Sequence, residues 1–347
     1  MGIRAWLVPE AFLEERNMMH KKKICLITAC LSILLTAGCC AEPLKSGSHP
    51  PISESAWVVY WDKKEGMANY QKSKKKWDSL SYFALRMDEK GHFKKLVDIP
   101  VKDAGKPFYL TFVNDVVKSS GQEESKDINV LKSLLKDEYS RRMHAREILN
   151  MASAYGANGI DIDYEKIKND PEVLKNFAAF TKTLYTESLE YQMPIRIILE
   201  PSVPMDMPYA EGPEYIVMLY NLYGTHGGPG PKANRSFIEK TIQKMEALPG
   251  KKGVAFSNGG CLWKDAGLLG LKKGTARFIT EADAVKLART YKLKPKRDDD
   301  SAALHFSYQY NGSTYEVWYA DKETLAAWVT LAAQKGMSEA ILWRLGS

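Results

Sequence analysis

The sequence predicts an α/β fold, a (β/α)8 TIM barrel with a small α+β insertion between the seventh and eighth strands. Two observations favour this class. Short apolar runs suited to buried parallel strands alternate with segments of helical periodicity. Eight such runs lie within the roughly 290 residues after residue 56, and a barrel of this type needs about 250.

The strands are predicted where β-branched and aromatic residues cluster between turn signals. The runs are residues 57–61, 79–85, 107–114, 159–165, 194–201, 214–220, 252–258 and 339–345. Helical spacing of apolar residues predicts helices at 139–154, 171–191, 236–248 and 322–335. Asp170 before Pro171 is a helix-start signal, and Gly336 after Lys335 is a stop signal.

A long excursion separates the last two predicted strands. The insertion is expected at about residues 274–320, with a helix at 281–290 and a hairpin formed by 305–310 and 314–319. Asn311-Gly312 lies between the two hairpin strands and is a strong hairpin-turn signal.

The N-terminal segment is typical of a secretory signal. Three lysines precede an apolar run from Ile24 to Leu35, and small residues follow directly before Cys39. Residues 1–38 are therefore predicted to be a signal peptide of the bacterial lipoprotein type, with Cys39 lipidated and the domain held outside the cytoplasmic membrane. An uncleaved anchor is the alternative. Met18 or Met19 is a more natural start than Met1, and residues 39–56 are expected to be a flexible tether.

Cysteines, histidines and charge narrow the function classes. The five cysteines and six histidines show no zinc-site spacing, and no metal or other cofactor is expected. The net charge of +7 is mild, and the sequence contains no nucleic-acid-binding motif. The lysine-rich run at 72–76 is predicted to be a solvated helix face, and a monomer is the default expectation.

The fourth predicted strand carries three acids at every second position, Asp161, Asp163 and Glu165. Successive side chains of a strand point to opposite faces, so the three carboxylates are expected on one face and Ile160 and Ile162 on the other. Closely stacked buried carboxylates repel one another and lose hydration. Such a row requires bound protons or a cation, which indicates a chemical role.

The run from Asn158 to Glu165 resembles the active-site strand of family-18 glycoside hydrolases, Asp-Gly-x-Asp-x-Asp-x-Glu, with Asn158 at the first position. Met218-Leu219-Tyr220-Asn221 is similar to the family's Met-x-Tyr-Asp element, with Asn221 in place of Asp. Trp343 matches the family's closing Trp. Residues 223–233, and Asn114 at a strand end, look like the branch that contains spore-cortex and cell-wall glucosaminidases.

The resemblance implies a retaining glycosidase that cleaves β-1,4 linkages after N-acetylglucosamine, in peptidoglycan or chitin-like glycans, by substrate assistance. Glu165 would protonate the glycosidic oxygen, and Asp163 would stabilise the oxazolinium ion formed by the substrate's acetamido group. Asp161 would share a proton with Asp163. Tyr220 would align the acetyl oxygen.

Six further residues are expected at the substrate. Trp343 would form the floor of the sugar pocket, and Asn221 and Asn114 would lie at its edge. Trp61 and Tyr82 are candidate stacking platforms, with core packing as the alternative for each. Glu200 ends the fifth strand and is either a substrate contact or a surface ion pair.

Two other functions fit the same sequence. A catalytically silent, lectin-like member of the barrel family would bind the glycan without cutting it. A metal-dependent barrel enzyme would use the three acids to hold Mg²⁺. Retention of Asp163 and Glu165 favours the catalytic interpretation over the silent one, and activity in the presence of a chelator distinguishes the metal enzyme.

Overall fold

The structure, a computed structural model, describes residues 43–98, 105–265 and 274–346. The predicted signal peptide and Cys39 lie outside the described residues. Within the described ranges, no helix combines the length and the apolar character needed to cross a bilayer.

The strands of the described residues are numbered in chain order. They are β1 (Ser53–Val59), β2 (Ser79–Phe83), β3 (Leu85–Asp88), β4 (Phe93–Lys95), β5 (Phe108–Val113), β6 (Val116–Val117), β7 (Glu123–Glu124), β8 (Gly159–Asp163), β9 (Ile195–Leu199), β10 (Glu214–Met218), β11 (Lys252–Ser257), β12 (Gly259–Lys264), β13 (Thr275–Ile279), β14 (Lys296–Arg297), β15 (Leu304–Tyr310), β16 (Ser313–Ala320) and β17 (Glu339–Trp343).

Eight of these strands close a parallel barrel in the order β1-β17-β11-β10-β9-β8-β5-β2. The predicted fold class is confirmed, and each predicted run overlaps one barrel strand. The first strand begins at Ser53, earlier than the predicted residue 57. Leu44 is already buried and its N–H donates to the carbonyl of Asp299 at 2.8 Å. The predicted tether at 39–56 is therefore wrong for Leu44, which packs on the domain, and for residues 53–56, which belong to β1.

The helices follow the predicted pattern where the barrel connections are long. They are α1 (Lys63–Ser73), α2 (Ile128–Leu135), α3 (Glu138–Ala154), α4 (Pro171–Tyr191), α5 (Arg235–Lys244), α6 (Glu281–Thr290) and α7 (Lys322–Gln334). The Asp170 side chain accepts from the N–H groups of Glu172 and Val173, which confirms the predicted helix start. Gly336 has φ +81° at the predicted stop after α7. Residues 200–213, between β9 and β10, contain no helix.

The insertion forms a five-stranded sheet in the order β13-β12-β16-β15-β14. It begins at Gly259, before the predicted residue 274, because β12 follows β11 almost directly. Asn311 and Gly312 have φ of +49° and +72° in the predicted hairpin turn, as a two-residue type I′ turn requires. A second small sheet, β4-β3-β6-β7, lies after the second and third barrel strands and was not predicted.

Apolar side chains fill the middle of the barrel. Trp57, Ile198, Ile216, Met218, Ala255 and Ile341 form one cluster there, with Tyr220 and Trp343 packed against it. In a parallel barrel the carboxyl ends of the strands meet at one rim, and the residues that follow them line a common cleft. Glu165, Tyr220 and Trp343 all stand at this rim.

Candidate active site

Strand β8 is held by Asn158 and Gly159 before its acids begin. The Asn158 side chain accepts from the N–H of Phe108 at 3.0 Å, and its own N–H donates to the Phe108 carbonyl at 2.8 Å. A Cβ at Gly159 would lie 2.3 Å from a carbon of the Tyr109 ring. Asn158 therefore has a structural role beside β5, and Gly159 admits the tyrosine.

Asp161 is fully buried inside the barrel, and both of its oxygens are occupied. Oδ1 accepts from Nε of Arg196 at 2.7 Å. Oδ2 accepts from the Thr111 hydroxyl at 3.0 Å and from Trp57 Nε1 at 3.2 Å. A cation and two neutral donors therefore compensate the Asp161 carboxylate, and its sharing of a proton with Asp163 stays a prediction.

Arg196 supplies the cation that the row of acids requires. Its guanidinium also donates to Glu339 at 2.6 Å and to the Ser81 hydroxyl at 2.6 Å, and it stacks 3.6 Å from the centre of the Tyr109 ring. Sequence reasoning missed this residue. The signal was present, since an arginine within the apolar run Ile195 to Leu199 must find partners once buried.

Asp163, one step along the same face, lacks such compensation. It is 8% exposed, and its Oδ1 has no hydrogen-bond partner among the residues that the structure describes. Burial raises the pKa of Asp163 well above its ordinary value, and the neighbouring charge of Glu165 raises it further. The empty face of Asp163 therefore favours a proton, or a positively charged group of a ligand.

Glu165 stands just beyond the end of β8. Its N–H donates to the Asn114 side-chain oxygen at 3.0 Å, and the Asn114 amide donates to the Glu165 carbonyl at 3.1 Å. Asn114 also donates to the Asp127 carbonyl at 3.3 Å and is 1% exposed. Asn114 lines the cleft, and its amide fixes the backbone of Glu165; its contact with a substrate stays a prediction.

The Glu165 carboxylate forms an ion pair with Lys126, a residue that sequence reasoning did not identify. Burial raises the pKa of Glu165, and the Lys126 ammonium opposes this rise. Lys126 has φ +61°, and its N–H donates to the Asp115 side chain at 2.8 Å. The acid at the strand tip is thus held in place by Asn114 and electrostatically tuned by Lys126.

These side chains open into a cleft of about 820 Å³. Of the predicted residues, the cleft brings together Asp163, Glu165, Asn114, Trp61, Glu200, Tyr220, Asn221 and Trp343. Trp343 contacts Trp57, Phe83 and Trp61 at ring-centre distances of 5.8, 5.8 and 6.4 Å. The Trp61 side chain is 50% exposed and so offers a ring face to a ligand.

The Tyr220 hydroxyl donates to the Met218 sulfur at 2.9 Å. Burial raises the pKa of Tyr220 well above its ordinary value, so the hydroxyl keeps its proton at neutral pH. Thioether sulfur is a weak acceptor. A carbonyl oxygen from a ligand is a better one, and Tyr220 is placed in the cleft to donate to it.

Of the predicted substrate-binding residues Tyr82 and Glu200, only Glu200 lines the cleft. Tyr82 is 2% exposed, its hydroxyl donates to the Met67 sulfur and its ring packs on Phe108, so the predicted stacking platform is wrong. Alternate strand residues face opposite ways, and the neighbouring Phe83 lines the cleft instead. Glu200 lines the cleft, while its Oε2 accepts from the Lys166 N–H at 2.8 Å.

Among the described residues, no three Asp, Glu, His or Cys side chains are placed to share one metal ion. Asp161 points to Arg196, and Glu165 points to Lys126. The three acids therefore do not form the common carboxylate set that the magnesium alternative requires.

A parallel barrel with carboxylic acids at one strand end and aromatic rings across the cleft is typical of enzymes that act on glycans. The sequence profile of "Glycosyl hydrolases family 18" matches residues 113–347. The chain belongs to glycosyl hydrolase family 18.

Relatives and solved structures agree with this assignment. The cortical fragment-lytic enzyme of Bacillus anthracis is 26% identical over 231 residues, which are 61% of this chain and 52% of that protein. The Bacillus cereus enzyme of the same name is 23% identical over 289 residues, 77% of this chain and 64% of that protein. The chain thus spans less than two thirds of the length of both relatives.

Two crystal structures show the shared fold. The spore cortex-lytic enzyme SleL of Bacillus cereus has a TM-score of 0.73 at 19% identity, covering 86% of this chain and 72% of that chain. A chitinase from Chromobacterium violaceum has a TM-score of 0.70 at 18% identity, covering 85% of this chain and 95% of that chain.

Proposed function

We propose that the protein is a retaining glycoside hydrolase that cleaves β-1,4 linkages after N-acetylglucosamine by substrate-assisted catalysis. The observation that carries the proposal is the pair Asp163 and Glu165. Glu165 is fixed at the strand tip, and Asp163 behind it presents a buried oxygen without a partner to the same cleft. Family membership supplies the second support.

In the proposed reaction, Glu165 donates its proton to the glycosidic oxygen as the bond to the anomeric carbon breaks. The acetamido oxygen of the same sugar attacks that carbon and forms an oxazolinium ion, so no protein nucleophile is needed. Asp163 accepts a hydrogen bond from the acetamido nitrogen and stabilises the positive charge. Deprotonated Glu165 then takes a proton from a water molecule whose oxygen attacks the anomeric carbon. The bond from that carbon to the acetamido oxygen breaks, which restores the acetamido group and gives net retention.

Tyr220 and Trp343 orient the sugar in this scheme. Tyr220 donates to the acetyl oxygen and exchanges its weak bond to the Met218 sulfur for a stronger one. Trp343 lies beneath the sugar ring with Trp61 beside it. Asn221, which also lines the cleft, adds an uncharged amide where the family's pattern has a carboxylate.

We further propose the bacterial cell wall as the location of the substrate. The names of the two curated relatives, which describe lysis of cortical fragments, support this choice over chitin. Lipidation at Cys39 would hold the protein at the outer side of the cytoplasmic membrane, facing peptidoglycan. The protein would act as a monomer.

One observation favours the lectin-like alternative. Glu165 is ion-paired with Lys126, and an ionised acid cannot donate a proton. The hydrolase requires Lys126 to release the Glu165 carboxylate when a glycan binds, whereas the lectin-like protein does not.

Replacing Lys126 with Met tests this ion pair. The ammonium lowers the pKa of Glu165 against the effect of burial, so its removal is expected to raise that pKa. Because the acid must be protonated to act, the alkaline limb of kcat/KM against pH should move to higher pH. Lys168→Met is the matched control, since Lys168 lines the same cleft but bonds to Ser202. An unmoved limb, or movement to lower pH, would contradict the tuning role.

The proposed function is tested by release of reducing ends. Purified protein is incubated with peptidoglycan, with chitin oligosaccharides, and with the same oligosaccharides after chemical de-N-acetylation. We expect cleavage of N-acetylated glycans that survives a chelator, and none of the de-N-acetylated oligosaccharides. Binding of all substrates without cleavage would establish the lectin-like alternative instead.

A further inference from the structure

A second cavity of about 310 Å³ opens from the floor of the active-site cleft. The two share Trp61, Tyr220, Asn221, Phe278 and Trp343 as lining residues, so they adjoin each other. The second cavity extends away from Glu165 and Asp163 toward β11, β12 and the insertion. A glycan seated on Trp343 can therefore place a neighbouring group there.

Lys232 lies in the wall of this second cavity, on the loop between β10 and α5. Its Nζ donates to the Ser257 hydroxyl at 2.7 Å and to the Asn258 carbonyl at 2.9 Å. Both acceptors are neutral, and in the described part of the chain no Asp or Glu forms an ion pair with Lys232. Two hydrogen bonds account for two of the three N–H groups of the ammonium.

The loop that carries Lys232 is fixed at several points. The Leu222 N–H donates to the Lys232 carbonyl at 2.9 Å. Trp263 Nε1, from the insertion, donates to the carbonyls of Gly224 and Gly227 at 3.3 and 3.0 Å. The Lys232 ammonium is therefore carried by a loop that these hydrogen bonds hold in place.

A largely buried ammonium with neutral partners is costly unless an anion completes its surroundings. Burial lowers the pKa of Lys232 to about 8; the nearby Cys261 opposes this shift and Arg344 adds to it. Lys232 is thus mainly charged at neutral pH. Arg344, on the same wall, is paired with Asp62 at 2.5 Å, and Asp283, the acidic residue at the cavity edge, is exposed.

We propose that the second cavity is an anion subsite in which Lys232 binds a carboxylate carried by a sugar next to the N-acetylglucosamine on Trp343. This inference rests on the proposed function and names its substrate class. The alternate sugars of peptidoglycan carry a lactyl ether with a carboxylate, and those of chitin carry none. The subsite therefore selects an acidic, alternating glycan.

The test compares three glycans of similar length. They are peptidoglycan strands stripped of peptide, the same strands with carboxyl groups reduced to alcohols, and chitin oligosaccharides. Binding is measured on the Glu165→Gln protein by calorimetry, so that the glycan is not consumed, and hydrolysis is measured on the parent. Lys232→Met removes the charge, Lys232→Arg retains it, and Lys264→Met, on β12 but facing another cavity, is the control.

We expect Lys232→Met to weaken binding of the acidic strands about tenfold or more, the range of a hydrogen bond to a charged group. KM for these strands should rise with little change in kcat. Binding of reduced strands and chitin oligosaccharides should not change, and Lys232→Arg should restore much of the loss. Melting temperatures identify variants that are misfolded.

Equal affinity of the parent for acidic and reduced strands would overturn the anion subsite. So would an equal loss on all three glycans in the Lys232→Met protein, which would indicate a structural role for Lys232. Selective binding without hydrolysis would uphold the subsite and refute the proposed enzyme. Hydrolysis with no preference between acidic and reduced strands would uphold the proposed enzyme and refute the anion subsite.

Discussion

Glu165→Gln is expected to lower kcat by about 10²- to 10⁴-fold, the usual contribution of a general acid, and to leave glycan binding nearly unchanged. Glutamine has the shape of glutamate but no proton to donate to the glycosidic oxygen. The fold around it should persist, because Asn114 holds the main chain of residue 165 and not its carboxylate. Reducing-end release and glycan affinity are the measurements.

Glu200→Gln is the matched control for this change. Glu200 lines the same cleft, its carboxylate accepts from the Lys166 N–H, and its charge contributes to the raised pKa of Glu165. We expect less than about a tenfold loss in kcat from this substitution, well under a general-acid effect. The assignment of Glu165 as the general acid would be contradicted if Glu165→Gln kept more than a tenth of the parent kcat while Glu200→Gln lost more.

Arg196→Met is expected to cost about 3–5 kcal/mol in the free energy of unfolding, as removal of one partner from a buried ion pair does. Arg196 is 1% exposed and balances both Asp161 and Glu339, which are themselves buried. Methionine fills part of the space but leaves two carboxylates without their cation. Urea unfolding measures the loss.

The matched control is Arg146→Met. Arg146 forms an ion pair of the same 2.7 Å length with Glu187, but the arginine side chain is 49% exposed and the Glu187 carboxylate has a second partner in Arg142. Such pairs contribute up to about 1 kcal/mol. Similar losses in the two variants would contradict the view that Arg196 is the cation on which the row of acids depends.

Much of the fold was predictable because its signals are local. Each predicted run overlaps a barrel strand, and the Asn311-Gly312 turn and the Asp170-Pro171 helix start lie where they were predicted. Strand β12 and the small sheet formed by β3, β4, β6 and β7 were not predicted. Short strands of this kind depend on pairing with segments that are distant in the sequence. The early start of β1 was hidden by the polar residues Ser53 to Ser55, which precede its apolar part.

The candidate site was predictable to the extent that it follows a motif. Asp163, Glu165, Tyr220 and Trp343 meet at one cleft because each follows or ends a barrel strand. Their partners come from elsewhere in the chain. Arg196 is 35 residues from Asp161, and Lys126 is 39 residues from Glu165, distances that no local pattern can bridge. Tyr82 was predicted to line the cleft, but the next residue, Phe83, does so. Neighbouring residues of a strand face opposite sides, so an error of one residue exchanges core and cleft.

Substrate-assisted retention is tested by the anomeric form of the first product. Proton NMR during the early minutes of hydrolysis of a chitin oligosaccharide distinguishes the α and β forms of the new reducing end before they equilibrate. Substrate assistance predicts the β form first, because the acetamido group and then water each invert the anomeric carbon once. The α form first would show a single inversion and would contradict the mechanism.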